Sequence, residues 1–162
     1  MEKIASFQIN HNLLKPGLYV SRKDTFNGAV ITTFDMRFKA PNIEPPIDMP
    51  ALHTMEHLCA TFLRNHRDWA ASTVYFGPMG CRTGCYVVFS GDLSSRDVLP
   101  LMREMCAWFL AFEGDIPGAA PADCGNYREH NLVTAKWEMR RWAEVLANAG
   151  PENLTYPAKN EA

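Results

Sequence analysis

His53-Thr54-Met55-Glu56-His57 places two imidazoles and a carboxylate within one short stretch. On a helix, residues four apart lie one turn apart on the same face, so His53 and His57 can present two nitrogens to a single metal ion. Glu56 adjoins His57 and is three residues from His53, near enough to act as a general base on a metal-bound group. A catalytic four-coordinate site takes three protein ligands and keeps one position open. Candidates for the third ligand are the cysteines and the remaining histidines, His11, His66 and His130. Cys124 stands out among them. Asp123-Cys124-Gly125-Asn126 follows a Gly/Pro loop and is expected to open a helix, whose aligned amides favour the thiolate that a metal binds. Cys81 stands out differently, because it lies in Gly77-Pro78-Met79-Gly80-Cys81-Arg82-Thr83-Gly84. Glycines there let backbone approach a ligand closely, and Arg82 is placed to lower the thiol pKa. Cys59 and Cys106 fall on apolar helix faces and Cys85 on a strand, so these three read as core residues.

The elements that must position these groups can be read from periodicity. Ala29 to Phe38 alternates as a strand, with Val30, Thr32, Phe34, Met36 and Phe38 on one face and Ile31, Thr33, Asp35 and Arg37 on the other. Asp35 and Arg37 are thus neighbours on a polar face, and an earlier strand is expected near Leu18 to Ser21. Pro41 to Pro50 carries four prolines and reads as a rigid loop. Leu52 to His66 reads as a helix, since Leu52, Met55, Cys59, Phe62 and Leu63 recur at spacings of three and four. Ser72 to Phe76 and Cys85 to Ser90 read as strands joined by the glycine-rich loop. Asp92 to Asp97 holds helix-start residues before an apolar helix over Val98 to Phe112. A last helix is expected over Asp123 to Ala147, with Leu132, Ala135, Met139, Trp142 and Leu146 buried and Arg128, Glu129, Glu138, Arg140 and Arg141 solvated. Pro157 to Ala162 reads as a tail. This order predicts an α+β fold, an antiparallel β-sheet covered by helices, over residues 1–162 as one domain.

Composition limits what such a domain can do. With 16 Lys or Arg against 18 Asp or Glu, the net charge is −2, which argues against nucleic acid or an acidic membrane surface as the main partner. The 47% apolar and 21% charged content excludes a disordered or fibrous chain. The longest apolar run, Met105 to Phe112, is far shorter than the roughly 18 residues a membrane span needs. Met1-Glu2-Lys3-Ile4 does not open a secretion signal, so a cytoplasmic location is expected. Five cysteines, an odd number, fit reduced thiols better than a disulfide framework.

Several blocks, read together, resemble the S-ribosylhomocysteine lyases, the LuxS family of quorum-sensing signal synthases. They are Ser6-Phe7 with His11, Phe34-Asp35-Met36-Arg37-Phe38 before Pro41-Asn42, and His53 to Leu58 followed by Arg64-Asn65-His66. Pro78 to Gly84 and Cys124-Gly125-Asn126-Tyr127 complete the set, and all occur in family order. The resemblance implies His53, His57 and Cys124 as ligands of one divalent metal per subunit, usually Fe²⁺ and replaceable by Zn²⁺ or Co²⁺. It implies Cys81 and Glu56 as the general acid/base pair, and Ser6, His11 and Arg37 as residues lining the substrate pocket. A homodimer is also implied, with the pocket at the subunit interface. The implied reaction cleaves S-ribosylhomocysteine to homocysteine and 4,5-dihydroxy-2,3-pentanedione.

Three departures from the family pattern stand out. Tyr75-Phe76-Gly77 replaces an Asp-Ile-Ser triplet, Asn10 replaces a common Asp, and Lys39 replaces a frequent Cys. Two carboxylates near the pocket are lost, which is expected to bear on substrate contacts. His-x-x-Glu-His also marks inverted zincin peptidases, which use a carboxylate as third ligand and a metal-bound water as nucleophile. A metal-storing or sensing module, or a divergent paralogue acting on another sugar thioether, is a further alternative.

Overall fold

A computed structural model describes residue 4 and residues 7–158. Ser6 and most of the expected tail lie outside the described residues. The chain runs β1 (Gly17–Phe26), β2 (Ala29–Arg37), α1 (Met49–Asn65), β3 (Thr73–Pro78), β4 (Gly84–Ser90), α2 (Ser95–Ala111) and α3 (Leu132–Ala147). The four strands form one sheet in the order β1-β2-β4-β3, with every neighbouring pair antiparallel. The expected α+β architecture is present. β1 and β2 meet at Asn27-Gly28, both at positive φ (49° and 83°), the backbone of a two-residue hairpin whose twist matches the strands. No helix among the described residues is long and apolar enough to cross a membrane.

The two faces of the sheet are covered differently. Leu18, Phe34, Met36, Cys85, Val87 and Phe89 pack into one core with the apolar faces of the three helices. Trp142 of α3 is fully buried there, against Phe38 at 4.6 Å between rings, and its indole N–H donates to the Gly17 carbonyl at 3.2 Å. Truncation of Trp142 to Ala would cost about 3–5 kcal/mol. On the opposite face, Ile9, Leu14 and Tyr19 form a smaller cluster joined by Tyr156. The N- and C-terminal segments therefore cover the face that alternation marks as polar.

α1 buries Leu52, Met55, Leu58, Cys59, Phe62 and Leu63, which leaves His53, Glu56 and His57 along a half-buried side. α2 begins at a reciprocal cap between Ser94 and Asp97. α3 does not begin at Asp123. The stretch before Leu132 is a series of turns, and Asn131 caps the helix by accepting from the Thr134 N–H at 3.0 Å. Gly125-Asn126 is turn chemistry, and a local cap at Asn131 sets the helix start later. The thiolate-favouring helix end expected at Cys124 is absent.

Glu138 also departs from expectation, being 5% exposed rather than solvated. It pairs with Lys39 at 2.5 Å, and Lys39 is itself 2% exposed. A helical charge reads as solvated from its own neighbours, whereas its partner here lies 99 residues away (138 − 39).

Candidate active site

His53 and His57 project from α1 into a cavity of about 520 Å³ that is also lined by Glu56, Gly118 and Cys124. Both rings are held from behind by backbone. His53 Nδ1 lies 3.0 Å from the Glu129 carbonyl, and His57 Nδ1 lies 2.7 Å from the Pro117 carbonyl. A carbonyl only accepts, so each Nδ1 carries the proton and each Nε2 keeps a free lone pair, the form that binds a metal. Pro117 can approach this closely because Gly118 follows it at φ +72°, and a Cβ there would stand 3.3 Å from His57 Nδ1.

Cys124 arrives on the turns that precede α3, anchored by its N–H on the Ala120 carbonyl at 3.0 Å. Its Sγ is 3.4 Å from His53 Nε2 and accepts from the Asn126 N–H at 3.4 Å. Metal bonds of 2.3 Å to sulfur and 2.0–2.1 Å to nitrogen, at a tetrahedral angle, would set these two atoms about 3.5 Å apart. The pair fits a shared ion. His130 completes the group: donor atoms of His53, His57, Cys124 and His130 all lie within 4.8 Å of one another.

The hydrogen bonds around Thr54 define the state of His130. The Thr54 hydroxyl donates to the Pro50 carbonyl at 2.9 Å and accepts the Asn131 N–H at 2.9 Å. Its remaining lone pair faces His130 Nδ1 at 3.3 Å, so that nitrogen is the donor. His130 Nε2 is then an acceptor, buried and without a hydrogen-bond partner. Its ring stacks on His53 with centroids 4.2 Å apart. Burial, then the neighbouring His53 and His57, pushes its pKa down, which keeps that lone pair available. The sequence marks His130 only as one histidine among several, because ligands on a turn carry no periodic spacing.

Cys81 lies elsewhere, on the tight connection between β3 and β4. With His11, Pro41, Glu44 and Thr83 it lines a separate cavity of about 570 Å³. Its Sγ is 3.1 Å from the Thr83 hydroxyl and 3.8 Å from Arg37 Nη1. Burial alone would raise this thiol. Hydrogen bonds from the Thr83 side chain and backbone, with the Arg37 guanidinium, outweigh burial and hold it below the ordinary value. The cation is Arg37, whereas proximity in sequence had pointed to Arg82. The contrast with the other thiols is sharp: burial raises Cys59 and Cys85, and pushes Cys106 up to about 12.

Arg37 sits behind the thiol, 3% exposed, with Nη1 on Thr83 Oγ1 at 2.5 Å and Nη2 on Asp35 Oδ2 at 2.6 Å. His11 directs Nδ1 to the Ile9 carbonyl at 2.9 Å, so its Nε2 is the acceptor nitrogen. The sequence departures are absorbed locally. Asn10 Oδ1 accepts the Asn12 N–H at 3.1 Å, a turn an Asp would make equally. A Cβ at Gly77 would fall 2.0 Å from the Tyr75 hydroxyl, so the glycine leaves room for the Tyr75 side chain to lie where it does.

One antiparallel sheet under three helices, with three imidazoles and a thiol converging beside a carboxylate, defines an α+β domain able to hold a metal ion. The family model for S-ribosylhomocysteinase (LuxS) matches residues 4–152, and the chain belongs to that family of lyases. It is 54% identical over 157 residues to an S-ribosylhomocysteine lyase of Clostridium acetobutylicum, covering 97% of this chain and 99% of the relative. It is 54% identical over 159 residues to one of Desulfotalea psychrophila, covering 98% and 100%. A third, from Phocaeicola vulgatus, is 52% identical over 160 residues, covering 98% and 99%.

Proposed function

We propose that the protein cleaves S-ribosylhomocysteine to homocysteine and 4,5-dihydroxy-2,3-pentanedione. The observation that carries this reading is a preformed donor cluster with a carboxylate, Glu56, in the same cavity. His53, His57 and Cys124 would hold one divalent ion per subunit, Fe²⁺ by family resemblance. The bound ion would supply Lewis acidity to the sugar carbonyl, making the adjacent C–H acidic. Cys81, whose pKa is held below the ordinary thiol value beside Thr83 and Arg37, would move protons through two successive shifts that carry the carbonyl from C1 to C3. Glu56 would then take the proton that allows β-elimination: the C–S bond breaks and homocysteine leaves as its thiol. His11 would line the sugar pocket with Ser6, while Arg37 would hold the thiolate rather than meet the sugar directly.

Glu56 with the ligand cluster lines one cavity, and Cys81 with His11 lines another. This supports a homodimer in which a second copy completes the pocket. The cytoplasm is the matching location for reduced thiols.

The test is homocysteine thiol released from S-ribosylhomocysteine after anaerobic Fe²⁺ loading, since iron–thiolate sites oxidise readily. Glu56→Gln and Cys81→Ala should keep parental metal content and lose about 10²–10⁴-fold in turnover. Peptide cleavage without thiol release would overturn the reading in favour of a peptidase. Loss of metal from either folded variant would overturn the assigned roles.

A further inference from the structure

The cavity thiol is tied to the C-terminal segment through a buried chain of polar groups. Tyr156 stacks on Tyr19, with ring centroids 4.8 Å apart at 12°, and its hydroxyl donates to Asp35 Oδ2 at 2.8 Å. The same oxygen receives Arg37 Nη2 at 2.6 Å, and Arg37 Nη1 reaches Thr83 Oγ1 at 2.5 Å and Cys81 Sγ at 3.8 Å. Asp35 Oδ1 is buried without a hydrogen-bond partner, so Tyr156 and Arg37 are the only donors the carboxylate has among the described residues. The Asp35–Arg37 link is nearly closed to solvent, where a lost donor is not replaced by water.

We propose that Tyr156 and Asp35 are positioning residues for the Cys81 thiolate: Tyr156 takes up part of the Asp35 charge and so leaves the Arg37 guanidinium free to face the thiol. This assignment rests on the reading of Cys81 as the proton-moving group, but its geometry does not depend on it. Two demands meet on Arg37, since Asp35 pulls Nη2 one way while Thr83 and Cys81 hold Nη1 the other. With the Tyr156 hydroxyl removed, Asp35 has one donor left and binds the guanidinium more tightly, and the positive potential at Cys81 falls. Other titratable or charged groups facing this region are Tyr19 on β1, Tyr86 on β4, and His11 and Glu44 lining the cavity. None of them donates to Asp35 in the described residues.

The test is Tyr156→Phe, which keeps the stack on Tyr19 and deletes only the hydroxyl. The rate of iodoacetamide alkylation at Cys81, resolved by peptide mass spectrometry, is followed from pH 5 to 10 on the intact protein, so the readout needs neither metal nor turnover. The expected result is a profile displaced to higher pH, with alkylation at pH 7 slowed about threefold to tenfold. Tyr156→Ala should show the same displacement together with a lower thermal midpoint, because it also removes the stack. A Tyr156→Phe profile that superimposes on the parent, or moves to lower pH, would overturn the proposal. The outcome is distinguishable from failure of the lyase reading, which the thiol-release assay alone decides.

Discussion

Two ion pairs, each nearly closed to solvent, lie within a few residues of one another and serve opposite ends. Asp35–Arg37 and Lys39–Glu138 have side-chain exposures of 4% or less on the β2 side and 6% at Glu138. Lys39–Glu138 is closed off. Trp137 lies under both the Lys39 ammonium, at 5.0 Å, and the Arg141 guanidinium, at 4.8 Å, and Arg141 reaches on to Glu44 at 2.5 Å. Glu44 also accepts the Ala40 N–H at 2.6 Å, so the network clamps the proline loop to α3. Asp35–Arg37 is left open. Asp35 Oδ1 and Arg37 Nε have no hydrogen-bond partners, and the guanidinium leans toward Cys81. Satisfaction marks the pair that holds the fold, and incompleteness marks the pair that faces the chemistry.

The comparison breaks most visibly at Arg37. Arg37→Met should lower thiol release from S-ribosylhomocysteine about a hundredfold or more, since the Cys81 thiolate loses its cation. Alkylation of Cys81 in the same variant should move to higher pH. Lys39→Met should cost about 3 kcal/mol in chemical denaturation, because Glu138 stays buried with only the Arg141 guanidinium left, at 4.0 Å. Its Cys81 alkylation profile should not move, and Lys39→Met with Glu138→Leu should recover most of the lost stability. If Lys39→Met displaced the alkylation profile instead, the division into a folding pair and a chemical pair would collapse.

Thr83→Val comes next, removing the hydroxyl shared by Cys81 and Arg37, at about 1.5–3 kcal/mol for a hydrogen bond to a charged group. A pH measurement sharpens this. Folding lowers the Cys81 pKa, so the thiolate's contribution to stability is fully present above the unfolded thiol value and is lost as pH falls through the folded one. The stability difference between parent and Cys81→Ser should therefore grow from neutral to alkaline pH, and Thr83→Val should flatten that growth. The smallest effect belongs to the exposed Lys23–Asp92 pair, where Lys23→Gln should change stability by less than about 0.5 kcal/mol. Urea titrations of both proteins give that comparison directly.

What could be read from sequence follows from how local each signal is. The ligand helix was legible because four-residue spacing fixes which side chains share a face, and β2 because alternation does the same for a strand. Cys124 could be read as a donor but not as a residue on turns, since Gly125-Asn126 and the cap at Asn131 compete with a longer helical pattern. The burial of Asp35 and Arg37 was hidden for another reason. Alternation assigns them to a polar face, and only the return of Ile9 and Tyr156 from the two ends of the chain closes that face over. His130 was legible only as one candidate ligand among several, and Glu138 was read as solvated, because the partners that define each lie far away in sequence.

Arg82, between the thiol and Thr83, holds φ at +57° while its carbonyl accepts the Ile47 N–H at 2.9 Å. A residue with a Cβ in that region costs about 1–2 kcal/mol, which glycine avoids and asparagine softens, as at Asn27 and Asn42. Since Arg37 supplies the cation for the thiol, position 82 owes its conformation to the turn alone. In a library randomised there and selected for heat resistance, sequences should drift toward glycine and asparagine without penalty in turnover. The loop thus sets a position answerable to backbone geometry directly beside the thiol that faces the cavity.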